Sequence, residues 1–303
     1  MKKSILVLTD QSDKSKHAAE AALMLAGHLD LNLVLLNCND TISAVTYYPI
    51  MPVMSESATW YEDRKERLTL MVADLKLLFV KAFPGKAQPV IKVIIKEGDL
   101  FENIKDELKH HQTELIVMGS QSGTSTDHFL FGSDTLNVTA KAPVPVLTVP
   151  PTADLKSIAR ITFATDFVEH DTYTLYHLLR LRQKLDAKLE ILHIRQYGHA
   201  PVQKSPLVKR IIEEACTAKP SAISYKEIYG KQIASRLKNY CLENKSDLLA
   251  LSHKHHSFLF KAFKEGTVEK SLSDQLTPLL IIPELKGEKI HKSTFKDLAN
   301  VVF

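Results

Sequence analysis

The chain has 303 residues, 45% hydrophobic and 24% charged, with a formal net charge of +4; this is the make-up of a soluble globular protein of about two domains, too near neutral to demand a polyanionic partner. No run of about 18 apolar residues exists to span a membrane, and "MKKSILVLTDQS" at the start is too short in apolar residues for a secretory leader. Three cysteines, Cys38, Cys216 and Cys241, with no CxxC spacing, exclude a disulfide framework and read as reduced thiols of a cytoplasmic protein. In chain order, a strand is predicted over 4–9. A helix follows in "SDKSKHAAEAALMLAGHL", its alanines and leucines recurring at three- and four-residue spacing, with Ser12 as N-cap. A second strand, "LNLVLLN", leads into an irregular excursion over 39–58 and a charged helix over about 59–82. Then come a strand over 90–96, a helix over 100–111, a strand over 114–118, a loop of small residues, a helix over 132–141 and a strand over 144–149. The strands are continuous apolar runs rather than alternating ones, as in a parallel sheet covered on both faces.

The chain then repeats itself. "ILVLTDQS" (5–12) matches "ITFATDFV" (161–168), and "APVPVLTVP" (142–150) matches "LTPLLIIP" (276–283). The interval from Gly119 to Pro150 equals that from Ser252 to Pro283, and "VIIKEGDLFENI" (93–104) answers to "SYKEIYGKQIASRL" (224–237). Two copies of one unit are expected, over 1–150 and 157–303, the second lacking the excursion and the first part of the charged helix. Strands alternating with helices give right-handed crossovers and an α/β, doubly wound parallel sheet in each copy. If strand 1 winds out to strands 2 and 3 and the chain returns to lay strand 4 beside strand 1, the binding crevice opens where strands 1 and 4 end. Asp10 and Gly119 stand there. Asp10 is either an acceptor for a ligand amino group or a turn former; Gly119 and Gly132 serve either close backbone approach or tight turns. The helix beginning near Gly132-Ser133 would turn its N-terminus, with free N–H groups, toward an anion.

"ILVLTD", "DLFENI", "ELIVMGSQSG" and "FGSDTLNVTAKAPVPVLTVP" resemble the universal stress protein family, in a tandem form with both copies in one chain. The resemblance implies an adenine-nucleotide alpha-hydrolase-like fold, and a stress-response protein that binds or regulates rather than catalyses. It also implies a cofactor, ATP or ADP with magnesium accompanying it, in the first copy only. The implied contacts are Asp10 and the backbone at Cys38 on the adenine. Met118, Gly119, Ser122, Gly132 and Ser133 form the loop for ribose and phosphates. Two departures stand against this. The middle glycine of the loop is Ser122, with Gly123 one place late, and Asp134 puts a carboxylate where it would repel a phosphate, with no Lys or Arg over 119–140 to offset it. In the second copy Asp166 remains, but Ser252, His255 and Glu265 replace the glycines.

Two other functions stay open: a scaffold acting through protein contacts without nucleotide, and a slow ATPase. No Ser-Gly-Gly-x-Asp-Ser loop, Gly-x-Ser-x-Gly elbow or Gly-Lys-Ser/Thr is present to mark a dedicated catalyst. His253, His255 and His256 suggest a metal, but a solvated loop accounts for them better and no metal is expected. The phenylalanines Phe258, Phe260 and Phe263 read as a staple of that loop. Basic and aromatic residues together raise nucleic acid as a partner of the second copy, and a solvated basic face is the simpler account. The last strand of each copy, 144–149 and 278–283, has no charge to protect an exposed edge. The two are expected to pair antiparallel and make a pseudo-dimer within one chain, with that loop and the tail "HKSTFKDLANVVF" as places for a homodimer contact.

Overall fold

The computed structural model describes residues 2–39, 54–120, 133–168, 171–198, 204–253 and 277–283. The chain forms two compact units, Met1–Gly119 and Ser120–Phe303. The first contains β1 (Ser4–Leu8), α1 (Asp13–Leu29), β2 (Asn32–Asn39), α2 (Met54–Ala82), β3 (Ile91–Glu97), α3 (Leu100–His110) and β4 (Thr113–Gly119). Its strands lie in the order β3-β2-β1-β4, all parallel. This is the winding expected from the sequence, with β1 central and every β1 residue buried. The helix α1 starts where Ser12 accepts from the Ser15 backbone N–H and ends at Asp30, which takes a left-handed conformation. Most of its buried residues are small, with Ala18, Ala19, Ala22 and Ala26 all nearly inaccessible beside the larger Leu23, Met24 and Leu25. The longer charged helix, α2, begins at Met54, inside the stretch expected to be irregular. It buries Leu68, Met71, Leu75 and Phe79 at helical spacing and is tied to α1 by Lys16 and Asp74, 2.6 Å apart.

The second unit holds α4 (Ser133–Lys141), β5 (Val146–Val149), β6 (Arg160–Ala164), α5 (Asp171–Leu185), β7 (Lys188–Gln196), α6 (Pro206–Ala218), β8 (Ile223–Gly230), α7 (Ile233–Glu243), β9 (Leu248–His253) and β10 (Leu279–Pro283). Its strand order is β5-β10-β9-β6-β7-β8. All neighbours from β10 to β8 are parallel; β5 alone is antiparallel, pairing Val146 with Ile281, Leu147 with Leu280 and Thr148 with Leu279. The expected pairing of the two copies' last strands is therefore present. By contact, the last helix and strand of the first sequence copy, α4 and β5, belong with the second copy.

The two copies share backbone detail as well as order. Gln11 has φ 67° and Phe167, at the corresponding place, φ 58°; Asp30 and Asp186 match likewise at 58° and 51°. Non-glycine residues seldom adopt positive φ, so the recurrence marks a common ancestral turn more strongly than the letters do. Among the described residues no helix is long and apolar enough to cross a membrane.

Candidate functional site

In the first unit the crevice floor is made where β1 runs out. Thr9 is buried; its N–H donates to the Leu36 carbonyl at 3.0 Å, and its hydroxyl accepts from the Gln11 N–H at 3.1 Å and lies 3.0 Å from Ser15 Oγ. Its carbonyl accepts from Asn37 Nδ2 at 2.6 Å. This network fixes the left-handed turn at Gln11 and sends Asp10 outward. Asp10 is exposed, and its Oδ1 accepts from the Ser12 N–H at 2.9 Å. Desolvation by its neighbours pulls the Asp10 carboxyl up, but hydrogen bonds from Ser12 and Ser15 outweigh it and hold the group below the ordinary carboxylate range. So Asp10 is a turn former, the second of the two roles the sequence left open, and its exposed carboxyl is held ionised.

Gly119 ends β4 next to this turn. A Cβ there would stand 3.0 Å from the Lys14 carbonyl oxygen in the first turn of α1, tighter than ordinary packing, so close approach is the reason for glycine at this place. Met118 is buried and Cys38 half-buried. Asp10, Cys38, Met118 and Gly119 thus stand at the C-terminal ends of neighbouring strands, β2, β1 and β4. Ser122 and Gly132 lie outside the described residues, and Ser133 is the first residue of α4 in the second unit.

One residue of this crevice was not singled out from the sequence. Arg64, on α2, donates from Nη1 to Asn37 Oδ1 at 2.8 Å, and its own carbonyl accepts from Gln11 Nε2 at 2.9 Å. Asn37 is fully buried. A guanidinium is therefore held at the end of β2, one residue from Cys38. In "YEDRKERL" nothing distinguishes it from the charges around it, which lie on the solvated face.

The second unit repeats the scaffold and fills it. Thr165 N–H donates to the Leu192 carbonyl, and the Phe167 N–H to Thr165 Oγ1, each at 2.9 Å; His193, at the place of Asn37, has Nδ1 2.8 Å from the Thr165 carbonyl. Where the first copy has Ser15 and Gly119, the second has Asp171 and Ser252. Asp171 accepts from Thr165 Oγ1 at 2.5 Å and from Ser252 Oγ at 2.6 Å, and Ser252 Oγ lies 2.8 Å from Thr174 Oγ1. All four are buried. Burial pushes the Asp171 carboxyl up to about 6 against the pull of its two hydroxyl donors.

Phe167 replaces Gln11 and turns its ring into the crevice. It lies edge-on to His193 and Tyr225, with centroids 5.1 and 5.7 Å away. Lys204 sits 4.4 Å from the ring centroid and is held by Glu227 at 2.7 Å. Glu227 also meets Arg195 at 3.1 Å. Burial raises the Glu227 carboxyl, but Lys204 and the Tyr225 hydroxyl overcome it and bring it down to about 2. The crevice of the second unit is occupied by its own side chains. His253, expected in a solvated loop, is instead the last residue of β9 and buried: the strand runs on past Ser252, in register with β10 as far as Pro283. His255, His256, Phe258, Phe260, Phe263, Glu265 and Gly266 lie outside the described residues.

Comparison with known proteins accords with this architecture. The model of the universal stress protein family matches residues 1–150. A universal stress protein from Archaeoglobus fulgidus has a similar fold, with TM-score 0.70 and 17% identity over 94% of this chain and 97% of that one. A putative universal stress protein from Pseudomonas aeruginosa is similar at TM-score 0.52 and 16% identity, over 99% and 96%. No curated protein matches the sequence. With the winding order, the duplicated Thr-Asp turn and the matched domain all in agreement, the chain belongs to the universal stress protein family, as a tandem member.

Proposed function

We propose that this tandem protein is a cytoplasmic stress-response regulator that binds ATP or ADP, with magnesium accompanying it, in its first copy, residues 1–150, and no nucleotide in its second, residues 157–303. The supporting observation is the contrast between the two crevices. At the end of β4 the first copy keeps a glycine against the first turn of α1, and at the same place the second has Ser252 bonded to a buried Asp171. The glycine lets the end of β4 lie directly against the first turn of α1, which brings backbone groups of both together where a ribose or phosphate would bind; at that junction the second copy puts a buried carboxylate, which an anion would avoid. Asp10 is the acceptor for the adenine amino group and the Cys38 backbone the second contact. The roles of Ser122, Gly132 and Ser133 rest on the family's loop pattern alone. The protein senses nucleotide rather than consuming it.

Calorimetric titration of the full chain with ATP should saturate at one nucleotide per chain, with no phosphate release on prolonged incubation. Gly119→Val should remove the binding while Ser252→Gly leaves it unchanged. Absence of binding by the wild-type chain would refute the proposal and favour the scaffold function. Steady phosphate release that is lost with Asp10→Ala would favour the ATPase.

A further inference from the structure

The crevice of the second unit, filled by its own side chains, gives a template for that of the first, on the nucleotide-binding proposal above. In the second unit a planar ring, Phe167, lies edge-on to the buried strand residue His193 and beneath the cation Lys204. In the first unit the buried strand residue and the cation have counterparts, whereas the ring, Tyr225 and Glu227 do not. Asn37 stands at the place of His193 and makes the equivalent contact to the carbonyl of the strand-end threonine. The cation is Arg64, brought by α2 and bonded to Asn37. At the place of Phe167 is Gln11, in the same left-handed conformation, with its amide drawn to the Arg64 backbone. The carboxylate that anchors Lys204, Glu227, is paired in register with His193. The residue paired with Asn37 on β3 is Ile95, an apolar wall suited to a ring face or edge.

We propose that Phe167 stands where the first unit takes the purine base of its ligand, and that Arg64 is a base-binding residue whose guanidinium lies against that base. A guanidinium is planar and weakly hydrated, and packs on an aromatic face at less desolvation cost than an ammonium does. The base is thereby held at the ends of β1 and β2, against Ile95 and the guanidinium that Asn37 orients, independently of any phosphate. In the second unit the same space is taken by the chain itself.

The test is calorimetry on the full chain with two probes, adenosine and ATP, for wild type, Arg64→Gln, Arg64→Lys and Gln11→Phe. Arg64→Gln should weaken both probes by a similar factor, about tenfold, and Arg64→Lys by less. Gln11→Phe should abolish both, since it recreates the occupied crevice, and the backbone there already has the φ that Phe167 adopts. Melting curves like that of the wild type for the Arg64 variants would exclude an effect of misfolding. If Arg64→Gln binds adenosine as the wild type does, the inference is overturned while nucleotide binding stands. Loss of ATP with adenosine retained would also overturn it, by assigning Arg64 to the phosphates. A wild-type chain that binds neither probe would fail the functional proposal itself and this inference with it.

Discussion

Asp171 carries a carboxyl into a place where its counterpart, Ser15, carries a hydroxyl, and the consequence is measurable. In the unfolded chain an aspartate has its ordinary value near 3.8, and in the fold burial raises this one to about 6. The folded state therefore holds the proton more tightly. The resulting stabilisation is fully present below about pH 3.8 and is lost as pH rises through 6, above which the buried charge costs stability. The difference is on the order of 3 kcal/mol. Asp171→Asn cannot titrate. Urea unfolding at several pH values between 4 and 7.5 should show the wild type gaining on the variant as pH falls, and a gap that does not change with pH would contradict the raised carboxyl. Little of this was legible in the sequence: Asp171 looks like an ordinary first-turn acid of a helix. Its burial follows from Ser252 and Thr165 being close in space, which no local pattern reveals. The placement of Gly119 and Asp10 at neighbouring strand ends was legible, since it follows from the winding order of β1 and β4. Asp134 was read the same way: if it faces a phosphate, Asp134→Val should tighten ATP binding several-fold, and weaker binding would mean that it serves as a ligand contact.

At the scale of elements, strand order and pairing were read correctly because they depend on apolar runs and on the lengths between them. The antiparallel partners β5 and β10 could be matched because both lack charge and both close on proline. Val146 is 1% exposed and faces Ile281 in register, so Val146→Lys would bury an ammonium with no partner placed for it. The expected cost is about 3 kcal/mol or more, seen as a lowered melting temperature. A variant that melts as the wild type does would show that this strand pair contributes little. The start of α2 was misplaced because "MSESA" has no apolar stripe to declare a helix, and its first turns were read with the excursion before them. That helix is also what the second copy shortens most: α6 spans Pro206–Ala218 against Met54–Ala82 for α2. With the longer helix comes Arg64, so the visible difference in length between the copies was a difference in crevice chemistry, unreadable until the helix was placed against Gln11 and Asn37.

On the scale of the whole chain, duplication has allowed the two copies to diverge in opposite senses around one turn. Both keep the threonine, the aspartate and the left-handed residue after it. One copy surrounds that turn with glycine and small hydroxyls, while the other closes it with a phenylalanine, a lysine and a buried carboxylate.

The join of β5 to β10 also governs how the molecule is made. Thr148 and Leu279, joined by a hydrogen bond, are 131 positions apart in the chain, so the contact is among the slowest to close by diffusion of the chain ends. During synthesis β5, "VLTV", emerges before the rest of the unit it belongs to, and it waits without its antiparallel partner while almost the whole second copy is translated. A bare apolar edge in a nascent chain pairs with whatever edge is near, including that of a chain on the next ribosome. Polypeptides arrested before residue 276 should therefore self-associate, by light scattering, at concentrations where the full chain does not. Introducing Val146→Lys into the arrested form should suppress it. If the arrested chains stay dispersed, the first copy must shield its edge by some other means until the last strand arrives.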